Sequence, residues 1–168
     1  YELTDVSAEE LESLRTSYGY MIHRHNTDDK LKMIICIDQD STSKDSNGGN
    51  GKSLIMESVE RYRKKAVLNG KTLGEQNSQF VYSHVELDTG FILIEDLDKK
   101  FKFETFFNDI TGDLTVEGKF KNKIIIPKDR KPKIMATTNH VVAGTGTSFE
   151  RRRHIVEFGS YWNKVNKV

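Results

Sequence analysis

The feature that most narrows the folds open to this chain is a junction. The uninterrupted apolar run Met33-Ile34-Ile35-Cys36-Ile37 gives way to a polar segment, Asp38 to Asn47, and then to Gly48-Gly49-Asn50-Gly51-Lys52-Ser53. Beyond it, Leu54, Ile55, Val59 and Tyr62 predict the apolar stripe of a helix that fades near Asn69-Gly70. A short continuous apolar run is the pattern of a strand buried on both faces, as in a parallel sheet. A strand, a glycine-rich loop and a helix in that order point to an α/β layered domain.

The rest of the chain extends this alternation. Ser7-Ala8-Glu9-Glu10 reads as a capping box, after which Leu11, Leu14, Tyr18, Met21 and Ile22 recur at helical spacing and predict an amphipathic helix ending near His23 to Asn26. Phe80-Val81-Tyr82 and Gly90-Phe91-Ile92-Leu93-Ile94 predict two further strands, the second closing on Glu95 and Asp96. Phe103, Phe106, Phe107 and Ile110 predict a short helix. Leu114 to Val116 and Ile124 to Ile126 flank a polar tip as the arms of a β-hairpin would, and Lys133 to Thr138 predicts another buried strand, ending at Asn139. The expected organisation is an N-terminal helical segment, residues 1–30, packed on a core of residues 31–168. Because the chain opens at Tyr1 within a charged stretch, it is expected to be a piece of a longer polypeptide.

Composition sets outer bounds. With 168 residues, 36% hydrophobic, 30% charged and two prolines, the chain fits one ordinary α/β domain. Its apolar runs are far shorter than a membrane span, so a soluble, cytoplasmic protein without a membrane partner is expected. The lone Cys36 excludes an internal disulfide and is expected to fill core space. His23, His25 and Cys36 lack the spacing of a zinc site, and His84, His140 and His154 have no assigned role. A net charge of +1 argues against a uniformly basic coat protein, yet the charge is uneven. Tyr1 to Leu14 carries five acids and no base, whereas Thr115 to Lys133 carries seven bases against Glu117 and Asp129.

Five segments carry chemistry. A phosphate-binding loop needs glycines that let backbone N–H groups close around phosphate oxygens, a lysine for the β- and γ-phosphates, and a hydroxyl for Mg²⁺. Asn47, Gly48, Gly49, Asn50, Gly51, Lys52, Ser53 and Leu54 meet that need, at a helix N-terminus whose dipole favours anions. Ser46 stands where such a loop has its first glycine, and the segment before it is long. Glu95 and Asp96 at a strand end suit two tasks, orienting Mg²⁺ and polarising an attacking water, with the division between them open. Asn139 can hold the same water or touch the γ-phosphate without adding charge. Arg151-Arg152-Arg153 follows at the distance where ring ATPases, which this order of segments resembles, offer an arginine to the neighbouring subunit's nucleotide, and Arg151 or Arg152 is the candidate for stabilising the charge that develops in phosphoryl transfer. In an extended arm Lys119, Lys121 and Lys123 would share one face and Phe120, Asn122 and Ile124 the other, a pattern suited to phosphates and to stacking on a base.

Taken in order, these segments resemble the superfamily 3 helicases, in particular the phage and poxvirus primase-helicase branch of the AAA+ lineage. The likeness runs through Asn47 to Ser53, Ile92 to Asp96, Ile110-Thr111-Gly112-Asp113 with the basic tip, Pro132 to Asn139, and Phe149 to Phe158. It implies a P-loop NTPase with a parallel sheet flanked by helices and an inserted basic hairpin. It further implies ATP or another NTP with Mg²⁺, single-stranded DNA, a hexameric ring of the chain with itself, and a linked primase domain as a candidate neighbour. If the gene is phage-encoded, the setting is a bacterial host cell and the process DNA replication. Two alternatives belong to other classes: a phosphotransferase built on the same loop, and a nucleotide-gated DNA-binding or assembly module that scarcely hydrolyses.

Overall fold

The computed structural model describes residues 7–27, 30–38, 51–71, 73, 80–120 and 122–159. Five strands form one parallel sheet: β1 (Met33–Asp38), β2 (Lys65–Asn69), β3 (Phe91–Glu95), β6 (Lys133–Thr138) and β7 (Arg153–Phe158). Their spatial order is β2-β3-β6-β1-β7. The β4 (Leu114–Val116) and β5 (Ile124–Ile126) arms pair antiparallel as a separate hairpin, with Leu114 opposite Ile126. Helix α1 (Ala8–Ile22) precedes β1, α2 (Lys52–Glu60) follows it, and α3 (Phe107–Thr111) and α4 (Thr147–Glu150) are short. A 3₁₀ turn, Phe103–Phe106, leads into α3.

Both faces of the sheet are covered, which is why β1 and β6 are buried at every position. Strand alternation sorts their side chains into two cores. Met33, Ile35, Ile37, Ile92, Ile94, Ile134 and Ala136 pack with Phe103, Ile110, Phe149 and the hairpin residues Leu114 and Ile126. Ile34, Cys36, Phe91, Leu93, Met135 and Val156 face the other way, towards Met21 of α1 and Met56 and Val59 of α2. Cys36 is therefore a core residue, and burial pushes its thiol up to about 12.

The α1 start is as its sequence signals. Ser7 N–H donates to the Glu10 carboxylate at 2.7 Å, and Glu10 N–H donates to Ser7 Oγ at 3.1 Å. Elsewhere the sequence expectations need correction. The helix after the glycine-rich loop does not run to Asn69-Gly70 but stops at Glu60, and Lys65–Asn69 is the edge strand β2. Only Ala66 and Leu68 face inwards there, too few to reveal a two-residue period. Within α2 the sheet-facing residues are Met56 and Val59, while Leu54 is 68% exposed and Tyr62, beyond the helix end, is 70% exposed. Phe80-Val81-Tyr82 is not a strand but a turn. Val81 and Tyr82 anchor it, and the Tyr82 hydroxyl donates to Asp109 at 2.7 Å. Strand β7 completes the sheet beyond β1, where the Arg-rich stretch hides the apolar alternation.

The basic stretch is also less uniform than its composition. Lys131 and Lys133 are buried, 5% and 3% exposed. Lys131 Nζ donates to the carbonyls of Asp109 and Gly112 and so closes the last turn of α3. Lys133 Nζ donates to the Tyr20 carbonyl and lies over the Tyr20 ring at 3.9 Å, tying α1 to the sheet. Burial holds both amines down to about 8.

Candidate functional site

In a parallel sheet the C-terminal strand ends share one edge, where loops open a crevice for ligands. Asp38 closes β1, Glu95 closes β3, and Asn139 follows β6. Register puts them side by side: Ile37 pairs with Thr138, and Ile94 with Ala136. By strand alternation Asp38 and Glu95 belong to the face covered by α2, the face of Ile34, Cys36, Phe91 and Leu93. Helix α2 begins at that edge, capped by Gly51 at φ +86°, a backbone conformation that favours glycine.

Lys52, the first residue of α2, joins three elements. Its Nζ lies 2.6 Å from Asp38 Oδ1 and donates to Asn139 Oδ1 at 3.0 Å. The lysine side chain is 11% exposed and the Asp38 side chain 1%. Water therefore screens this pair little. Ser53 and Leu54 sit exposed in the same first turn. Asn47, Gly48, Gly49 and Asn50 lie outside the described residues.

The two acids at the β3 end differ in placement. Glu95 continues the strand and its carboxylate is exposed, with no side-chain partner among the described residues. Asp96 has left the strand: its φ is +54°, and its carboxylate meets Lys71 at 3.3 Å in an exposed pair. Three bonds to β6 fix this bend. Asp96 N–H donates to Thr137 Oγ1 at 3.0 Å, Leu97 N–H to the Thr137 carbonyl at 2.8 Å, and Thr138 Oγ1 to the Leu97 carbonyl at 2.9 Å. Behind the bend, Gly70 N–H donates to the Glu95 carbonyl at 2.6 Å. Sequence reasoning missed Asp38, Thr137, Thr138 and Gly70. An acid closing an apolar run was the available signal for Asp38, and the Thr-Thr pair before Asn139 was the signal for the lock.

The arginines lie at the opposite edge. Arg153 opens β7 opposite Met33, the first residue of β1, and Met33 N–H donates to the Arg152 carbonyl at 2.8 Å. Strands of this length span about 20 Å, so none of the three reaches Lys52 of its own chain. They follow α4, and Arg153 opens β7. Arg153 pairs with Glu150 at 2.7 Å and covers Phe149. Arg152 donates to Thr111 Oγ1 and to the Ser148 carbonyl and lies over Phe107. Arg151 is exposed, and its side chain has no partner among the described residues.

At the hairpin, the expected extended arm does not include Lys119 or Phe120. Each arm has three residues, and Lys119 and Phe120 belong to the turn. Phe120 stands at φ +60° and is 105% exposed. Lys119 is exposed, and Lys123 pairs with Glu117 at 3.3 Å. Lys121 lies outside the described residues.

Comparison with solved structures gives the fold a reference. JCV helicase, in a crystal structure with a bound acetamide compound, aligns at 16% identity and a TM-score of 0.57, covering 92% of this chain and 42% of that one. What the two chains share is the fold, a five-stranded parallel sheet flanked by helices. The apo C-terminal region of NrS-1 aligns at 15% identity with a TM-score of 0.57, over 92% of this chain and 34% of its own. A second JCV helicase structure gives 12% and 0.52, over 92% and 41%. The chain thus spans less than half the length of these structures. No protein-family model and no curated protein sequence matches it. Among the described residues, no helix is long and apolar enough to cross a membrane.

Proposed function

We propose that this chain is the NTP-hydrolysing core of a ring-forming helicase of the superfamily 3, AAA+ type, acting on single-stranded DNA in phage-type replication. The observation that carries the proposal is the meeting of Lys52 with Asn139 at the C-terminal edge of the sheet, at the start of α2. A lysine held there can move onto a β- or γ-phosphate with little change in backbone, while the helix N-terminus favours the anion.

ATP, when bound, would supply the phosphoanhydride, and Mg²⁺ would neutralise charge on its oxygens. Among the described residues no three of His, Cys, Asp and Glu cluster at metal-ligand spacing. Mg²⁺ takes only one or two protein ligands beside phosphate and water. Ser53 and Glu95, on the α2 side of the edge, are the ligands proposed, and Asp96 is the second candidate acid. Glu95 also polarises the attacking water, with the Asn139 amide positioning it. Arg151, at the far edge and without a partner among the described residues, acts in the neighbouring subunit's site. Arg152 and Arg153 hold the turn that presents it. Lys119, Phe120, Lys121 and Lys123 form the DNA-contacting tip, with Phe120 stacking on a base.

The test is ATPase activity of the full-length protein with and without single-stranded DNA. Stimulation by DNA that is lost in Lys52→Ala, and reduced in a Phe120→Ala, Lys121→Ala double variant, is expected. Stimulation surviving both changes would overturn the assignment.

A further inference from the structure

The Lys52–Asp38 pair has no counterpart in the five chemical segments read from the sequence. Asp38 ends β1 and begins the long polar segment before the glycines. Its carboxylate is almost fully buried, points to the α2 face and lies 2.6 Å from the ammonium that the proposed reading assigns to phosphate. The geometry points to a built-in competitor: we infer that Asp38 holds Lys52 as an internal stand-in for the nucleotide's phosphate. The inference rests on the nucleotide site proposed above.

The chemistry is one of competing anions. A carboxylate oxygen and a phosphate oxygen seek the same charge-assisted bond from the same nitrogen. Two such anions beside one ammonium repel each other, and burial leaves that repulsion weakly screened. Entry of the nucleotide therefore requires Lys52 to leave Asp38. Asn139 Oδ1 is neutral and also bonds Lys52, so the amine keeps one partner as it moves. The apparent affinity falls by the fraction of molecules in which the lysine is free. A contact formed nine times in ten weakens binding about tenfold. Such a device keeps the nucleotide-free subunit closed to weak phosphate ligands and gives nucleotide entry a structural consequence at the end of β1.

Titration with a fluorescent ADP analogue and Mg²⁺ tests the inference on the full-length protein. Asp38→Asn keeps the shape and removes the charge, and it is expected to bind about tenfold more tightly than wild type. Asp38→Ser, too short to reach Lys52, is expected to do the same, and circular dichroism verifies that both variants are folded. Equal or weaker binding by folded Asp38→Asn and Asp38→Ser would show that Asp38 positions Lys52 and does not compete, overturning the inference while leaving the nucleotide site intact. Absence of binding by wild type and both folded variants would overturn the nucleotide reading itself.

Discussion

Replacing Gly70 by alanine tests whether the bend after β3 sets the site. A Cβ on Gly70 would stand 2.6 Å from the Glu95 carbonyl oxygen, 2.7 Å from Leu97 N and 2.8 Å from the Asp96 carbonyl carbon. All three are backbone atoms, so no side chain can swing aside. Relief needs a shift of several tenths of an ångström in the Glu95 to Leu97 backbone, which the bonds to Thr137 and Thr138 resist. Overpacking of this kind costs about 1–3 kcal/mol. The smaller entropy of an unfolded chain with alanine returns about 0.4–1 kcal/mol. A net loss of about 1–2 kcal/mol follows, or roughly 0.5–1 M in the urea midpoint for a slope near 2 kcal/mol/M. Hydrolysis should fall further than stability accounts for, because Glu95 rides on the displaced segment. Gly19→Ala is the control: its Cβ would meet nothing within 4 Å on α1, and helix propensity predicts a gain of about 0.5–1 kcal/mol. A Gly70→Ala midpoint and turnover indistinguishable from wild type would refute the reasoning.

Three further outcomes are expected. Arg151→Ala should bind nucleotide normally yet fail to hydrolyse it, and mixing it with Lys52→Ala subunits should restore part of the turnover, since some mixed interfaces hold both residues; no recovery would argue against action between subunits. Phe120→Ala should leave the urea midpoint unchanged, because the ring is fully exposed, and weaken single-stranded DNA binding by about 1–3 kcal/mol in a fluorescence-anisotropy titration. Stability should rise with pH from just below 8 to 9. Burial holds Lys131 and Lys133 down to about 8, so above that pH the unfolded chain binds more protons than the native one, adding up to about 1.4 kcal/mol per unit for each lysine. Above pH 9 ionisation of Cys36 in the unfolded chain opposes the rise. Urea midpoints at pH 7.5 and 8.8 check this, and Lys133→Met should roughly halve the slope.

Much of the layered fold was legible because its signals are local. Continuous apolar runs marked β1, β3 and β6, the Ser7 to Glu10 box marked α1, and Gly51-Lys52-Ser53 marked the start of α2, each through a pattern complete within a few residues. Edge strand β2 and strand β7 were illegible, since an edge strand shows one or two inward residues and Arg153 to Phe158 reads as charge before it reads as alternation. The turn at Phe80 to Tyr82 was misread because aromatic burial there comes from contacts with distant Asp109 and its surroundings, not from a ladder.

For the glycine-rich junction itself, sequence alone determined that a strand, a loop and a helix meet there and which lysine begins the helix. Only the tertiary structure decided what that lysine touches. Asp38 and Asn139 are separated from it by 14 and 87 positions, and parallel register, set by burial on both faces of the sheet, brings their strand ends together. The same register sends Arg151 to the opposite edge of the sheet, about 20 Å from Lys52, because β7 runs parallel to β1 and begins beside Met33.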